Sequence, residues 1–98
     1  MEGKLVFCLL TPRKEVVSCS CEAVNLWAKD DDKGEGGGSV GIRRGHVPTV
    51  IALAENGPVQ VASEGKLVFA AKVRGGFARV EAGSVTVLTP SAEVTTEN

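Results

Sequence analysis

"GGFARVEAGSVTVLT", Gly75 to Thr89, is the stretch on which the fold turns. Two short runs rich in β-branched and aromatic residues flank the turn signal "EAGS". In the second run Val85 and Val87 fall on one face and Thr86 on the other, the period-two pattern of a half-buried strand. Working outward, strand-like runs recur as "KLVFCLL", "EVVSCSC", "AVNLWAK", "TVIALA", "PVQVAS" and "KLVFAAK", with "ENGP" and "SEG" as further turn signals. No segment has the periodicity of an amphipathic helix. Many short strands at spacings near ten residues predict an all-β domain, an antiparallel sandwich or barrel in which two sheets, or one closed sheet, bury the apolar faces.

Ninety-eight residues suffice for one core, since a chain of this size buries somewhat over roughly 60% of its unfolded surface. We therefore expect a single domain over residues 1–98. Apolar residues at 43% and charged ones at 23% place the chain with globular proteins rather than disordered ones. A net charge of -1 gives no reason to expect nucleic acid, whose phosphates require a clustered basic face. No apolar run approaches the ~18 residues of a membrane-spanning helix. The opening "MEGKLVFCLLTPRKE" lacks a basic n-region and a small-residue cleavage site, so a cytoplasmic location is the simplest expectation. Cys8, Cys19 and Cys21 are an odd number of cysteines, read as reduced thiols. "KDDDKGEGGGS", residues 29–39, breaks the strand pattern and predicts an exposed acidic, Gly-rich loop within the domain. "EGKLVF" occurs twice, at Glu2 to Phe7 and Glu64 to Phe69, but the chain diverges at once on its C-terminal side. A glycine turn feeding a β-branched and aromatic strand is a common enough solution to occur twice without duplication.

Chemical constellations fare poorly. A zinc site built from Cys8, Cys19, Cys21 and His46 meets a spacing problem. Strand residues two apart are separated by about 6.5 Å along the chain, whereas two sulfurs on one zinc lie at most about 4.6 Å apart. Nucleophilic catalysis by a Cys–His pair lacks an identifiable orienting group. "GGGSVG" matches G-x-G-x-x-G in form, yet "IRRGHVP" breaks where a phosphate cradle needs a helix N-terminus. Asp30, Asp31 and Asp32 lack the later glycine and glutamate of a calcium loop. What remains is "GIRRGHVPTV", Gly41 to Val50, with the chain's one histidine. Gly45 is free to take a positive φ, and Pro48 holds Val47 extended, which predicts a rigid corner with His46 at its tip. Arg43 and Arg44 beside it are cations able to fork onto carboxylates, carbonyls or phosphates. A structural His46 and a contact His46 both fit this reading.

These residues resemble a known family. "GSVGIRRGHVPTVIAL" is similar to the Gly-x-[Leu/Phe]-Gly-Ile-Leu-Pro-x-His-Ala-Pro segment of the epsilon subunit of bacterial F-type ATP synthases. "RGGFARVEAGSVTVLTPSAEV" is similar to that family's Ser-Gly-Gly-[Ile/Phe]-x-x-Val-x-x-[Gly/Asn]-x-Val-Thr-Val-Leu segment, and "LLTPRKEVVSCSCEAV" to its Val-Ser-Pro start. The matching positions are Gly38, Gly41, Ile42, His46 and Pro48, then Gly75, Gly76, Val80, Gly83, Val85, Val87 and Leu88. The resemblance implies an antiparallel β-sandwich of about ten short strands in two packed sheets. It also implies a non-catalytic rotor subunit in the central stalk, docked on the gamma subunit and the c-ring and coupling proton or sodium flow to ATP chemistry. Such a subunit sits at the cytoplasmic face of the membrane without inserting, and no cofactor or small-molecule substrate is expected. The family usually continues into a two-helix hairpin, which can inhibit the motor and in some species bind ATP. The sequence here ends at "AEVTTEN", so neither activity is inferred.

The resemblance implies a partner-facing surface made of Ser39, Ile42, Arg43, Arg44, His46 and Pro48. Gly38, Gly41, Gly45, Gly75, Gly76 and Gly83 are expected as structural turns. Arg43 and Arg44 stand where the family commonly has an apolar residue and proline, and Ser39 where an acidic residue often faces the c-ring. A stand-alone β-sandwich binding module sharing the fold without the rotor role is the rival reading. A thiol-based redox or metal protein is a third, and it requires a reactive cysteine or a bound metal.

Overall fold

A computed structural model describes residues 4–29 and 37–97. Ten strands follow one another without a helix among the described residues: β1 (Leu5–Leu10), β2 (Glu15–Cys21), β3 (Ala23–Ala28), β4 (Gly38–Arg43), β5 (Thr49–Ala52), β6 (Glu55–Ser63), β7 (Lys66–Arg74), β8 (Phe77–Glu81), β9 (Ser84–Leu88) and β10 (Ala92–Glu97). They form two five-stranded sheets, in the orders β2-β1-β9-β8-β5 and β10-β7-β6-β3-β4. The β-sandwich expected from the sequence is therefore the fold.

Residues 75–89 form the β8–β9 hairpin, pairing Phe77 with Leu88 and Glu81 with Ser84. Ala78, Val80, Val85 and Val87 point inward and are buried. They meet Phe7, Leu9, Val24, Leu26, Val59, Val61, Phe69 and Val73 in one core cluster. Burying a side chain of this kind contributes about 1.5–3 kcal/mol, so this alternation is the main source of stability. Thr89 is the one polar residue buried with them among the described residues, and its hydroxyl donates to the Ser91 carbonyl at 3.1 Å.

One pairing departs from the antiparallel expectation: β1 runs parallel to β9, from Val6 beside Ser84 to Leu10 beside Leu88. Period-two alternation has the same form for either strand direction, so the side-chain pattern carried no sign of it. The repeated "KLVF" also acquires a meaning. Phe7 on β1 and Phe69 on β7 lie in opposite sheets, with ring centroids 6.1 Å apart and a tilt of 44°. Leu5 is buried, whereas its counterpart Leu67 is exposed, because a bulge at Val61/Ala62 shifts the register at the start of β7. The two copies thus differ in facing and in neighbours, as a recurrence without duplication would.

The turns divide by chemistry. Glu64 and Gly65, both at positive φ (55° and 75°), close the β6–β7 hairpin as a type I′ loop. "ENGP", expected as a turn, instead begins β6: Asn56 at φ 59° forms a bulge between Glu55 and Gly57. Of the loop expected over 29–39, residues 30–36 lie outside the described residues, and Gly38 and Ser39 already belong to β4.

Candidate functional site: the corner between the sheets

Residues 44–48 carry the chain from the free edge of one sheet, β4, to the free edge of the other, β5. The His46 amide donates to the Arg43 carbonyl at 3.1 Å, closing a turn. Gly45, third in that turn, has φ 89°, the left-handed value that a type II turn demands at this place. The Gly45 amide donates to the Ala82 carbonyl at 2.7 Å, which ties the corner to the β8–β9 turn of the other sheet. Arg44 Nη1 donates to the Lys4 carbonyl at 3.3 Å, and His46 Nδ1 donates to the Val47 carbonyl at 2.8 Å. The corner is thus held from both sheets.

Arg43, Arg44 and His46 together border a cleft of about 430 Å³, which Ala23, Asn25, Gly41, Ile42 and Gly45 also line. Asn25 was not foreseen. It faces Gly41 across the β3–β4 pair, and a side chain at position 41 would stand 3.2 Å from its Oδ1. Gly41 consequently leaves the Asn25 amide open; it lies inside a strand, which corrects its expected role as a turn. Ile42 needs a correction too. Its side chain is 0% exposed and belongs to the core, because alternation along β4 points it opposite to Gly41 and Arg43. Ser39 is exposed on the outer side of β4, about 13 Å along the strand from Arg43, and Pro48 is exposed beyond the cleft.

Gly38 opens β4, paired with Ala28, and like Gly41 is not a turn residue, although its φ is 120°. Gly75 and Gly76, between β7 and β8, have φ of 71° and 103°. Gly83 sits in the β8–β9 turn with open space around it and no positive φ.

A second surface emerges on the outer face of the β2-β1-β9-β8-β5 sheet. Leu10, Leu88 and Phe77 form one cross-strand row, and with Pro12 and Pro90 they line an apolar groove of about 410 Å³. Val47, Val50, Phe77 and Leu88 are 74%, 64%, 56% and 50% exposed. The sequence did hold a signal: in "FARV" the phenylalanine shares the phase of Arg79, on the face opposite Ala78 and Val80.

The cysteines are set apart from this site. Burial pushes the Cys21 thiol up to about 11, with Cys19 nearby adding to the shift. Burial also raises Cys19, and burial, then the hydrogen bond to Glu15, raises Cys8. Raised values keep thiols protonated, the opposite of a reactive thiolate. Among the described residues no three His, Cys, Asp or Glu side chains converge as metal ligands would. No helix among them is long and apolar enough to cross a membrane.

Fold and corner together define a ten-stranded β-sandwich with a basic corner hydrogen-bonded to both sheets. Comparison with known proteins places that class in a family. The beta-sandwich domain of the ATP synthase Delta/Epsilon chain matches residues 4–95, and the chain belongs to this family. It is 39% identical over 85 residues to an ATP synthase epsilon chain of Synechococcus, covering 87% of this chain and 56% of that one. The epsilon chain of Bacillus velezensis is 35% identical over 85 residues, with 58% of its length covered. That of Frankia casuarinae is 32% identical over 87 residues, with 93% covered. The chain thus spans a little over half the length of the first two relatives. A chain in the cryo-EM structure of the Euglena gracilis mitochondrial ATP synthase, OSCP/F1/c-ring, shares the fold with TM-score 0.76 and 24% identity, over 96% of this chain and 55% of that one.

Proposed function

We propose that the chain is a non-catalytic central-stalk subunit of an F-type ATP synthase, docking on the gamma subunit and the c-ring and coupling ion flow to ATP synthesis or hydrolysis. The observation that carries this reading is the family match across residues 4–95 in a chain whose matching Gly41–Pro48 segment forms an exposed, doubly anchored corner. A rotor component must move as one body. Two sheets around one core, with a corner hydrogen-bonded to both, meet that requirement. Two partners require two surfaces, and the basic corner and the apolar outer face offer them. Interfaces of this kind combine an apolar centre with a polar rim. In this role the protein is peripheral at the cytoplasmic face of the membrane.

Reconstitution tests the reading. The folded protein, mixed with cognate gamma subunit and c-ring, is expected to co-purify with the assembly and to bind at micromolar concentration or below. A folded protein that fails to associate at that concentration would sink the proposal and leave the stand-alone module in its place.

A further inference from the structure

The cleft at the β3–β4 edge has a one-sided chemistry. Asn25 contributes an amide, Arg43 and Arg44 two guanidiniums and His46 an imidazole, and no carboxylate borders it among the described residues. The single ion pair among the described residues is Arg79–Glu81 at 3.9 Å, elsewhere on the surface. No described carboxylate therefore neutralises Arg43 or Arg44. Arg44 is nevertheless held in place, since one of its N–H groups is committed to the Lys4 carbonyl and its remaining donors are left for another acceptor. Gly41 keeps the floor open beneath the Asn25 amide. The held Arg44 guanidinium, beside that of Arg43 and the Asn25 amide around an opening of about 430 Å³, suits a planar, doubly accepting group that guanidinium can grip at two points.

We infer that this cleft receives the carboxylate of an Asp or Glu side chain projecting from the protein against which this end of the sandwich docks. The inference rests on the rotor reading and deepens it: the loop facing residues 43–46 carries an acid, and Arg43 and Arg44 hold it. Such a contact sets orientation and speeds encounter through complementary potential.

The experiment measures association of the intact protein with the gamma–c-ring assembly by biolayer interferometry at low and high salt, for wild type, Arg43→Glu/Arg44→Glu, Arg43→Gln/Arg44→Gln and Arg43→Lys/Arg44→Lys. Both arginines are exposed, and thermal melts check that each variant is folded. The charge reversal is expected to weaken binding by about ten- to hundredfold and to flatten its salt dependence. The glutamine pair should fall between it and wild type, and the lysine pair should lose part of the affinity because the fork is gone while the charge stays. Treating the complex of the Arg43→Lys protein with a carbodiimide should join that lysine to an Asp or Glu of the partner, located by mass spectrometry. Unchanged affinity and salt dependence in both the Glu and Gln variants would overturn the inference while leaving the rotor reading intact. Absence of binding by wild type would instead overturn the rotor reading itself. Equal loss of wild-type binding on adding millimolar inorganic phosphate or sodium chloride of matched ionic strength is expected; selective competition by phosphate would overturn the carboxylate assignment.

Discussion

Replacing Gly76 by alanine perturbs the point where β8 leaves the β7–β8 turn, and the structure gives the size of the effect. Gly76 has φ 103°. An added Cβ would overlap the Leu88 carbonyl oxygen and stand 2.8 Å from the Thr89 Cα, both backbone atoms that no rotamer change can move. Forcing a non-glycine residue to positive φ costs roughly 1–2 kcal/mol, and crowding of this kind adds about 1–3 kcal/mol. The sum is about 2–5 kcal/mol against a total stability of about 5–15 kcal/mol. The Gly76 carbonyl also accepts from the Leu53 amide at 2.9 Å, so a shift at Gly76 pulls on the connection between β5 and β6. Urea unfolding followed by the fluorescence of Trp27, the single tryptophan, measures the loss. At about 4–8 °C per kcal/mol for a domain of this length, the midpoint of a thermal scan should fall by about 8 °C or more. Gly83→Ala is the control: its Cβ meets nothing within 4 Å, and its effect should stay within about 0.5 kcal/mol. Equal stabilities for the two variants would refute the reasoning.

Two further outcomes follow from the core. Phe69→Ala removes the ring that meets Phe7 between the sheets and should cost about 3–5 kcal/mol, seen as a lowered urea midpoint. The raised Cys21 thiol makes stability depend on pH: the folded chain holds this proton up to about 11, while the unfolded chain releases it near the ordinary 9.0. Over that window the unfolded state binds fewer protons, so the contribution is complete below pH 9 and is lost as the pH rises towards 11. Cys21→Ala should show a shallower decline over the same window in pH-dependent urea unfolding, and identical slopes would count against the assignment.

The sequence and the structure agree where side-chain alternation is the cause and part where something else is. Val85 and Val87 in the chain are Val85 and Val87 in the core, because burial of one strand face needs only period two. β4 escaped that test because Gly38 and Gly41 dilute the alternation to Val40 and Ile42. β10 escaped because its one large apolar residue, Val94, is exposed on an edge strand. The parallel β1–β9 pair escaped for a different reason, being a relation between residues about eighty positions apart. At the site, the turn was legible from Gly45 and Pro48, both local constraints on φ. Ile42 was misplaced outward because the family likeness concerns positions and says nothing about which face each residue takes. Asn25 was invisible because its role comes from standing opposite a glycine.

The departure from the family at Arg43–Arg44 bears on the corner's mechanics as well as its charge. Arg44 is second in the Arg43–His46 turn, where the resemblance read from the sequence implies a proline, and proline at that place restricts the unfolded chain. This chain has an arginine there, so the turn is held by contacts instead: the His46 amide on Arg43, the Gly45 amide on Ala82 and Arg44 itself on the Lys4 carbonyl. Arg44→Pro separates the two roles. Arg43 is in an extended strand, the conformation a residue before proline requires. The proline should return about 0.4–1 kcal/mol through the unfolded state, and the lost Arg44–Lys4 hydrogen bond should remove about 0.5–1.5 kcal/mol. The two nearly cancel, and the urea midpoint should move by about 1 kcal/mol or less in equivalent stability. If Arg44 grips an acid on the partner, association should still weaken severalfold. A variant that binds as well as wild type would show that Arg44 serves the turn alone, leaving Arg43 to carry the contact.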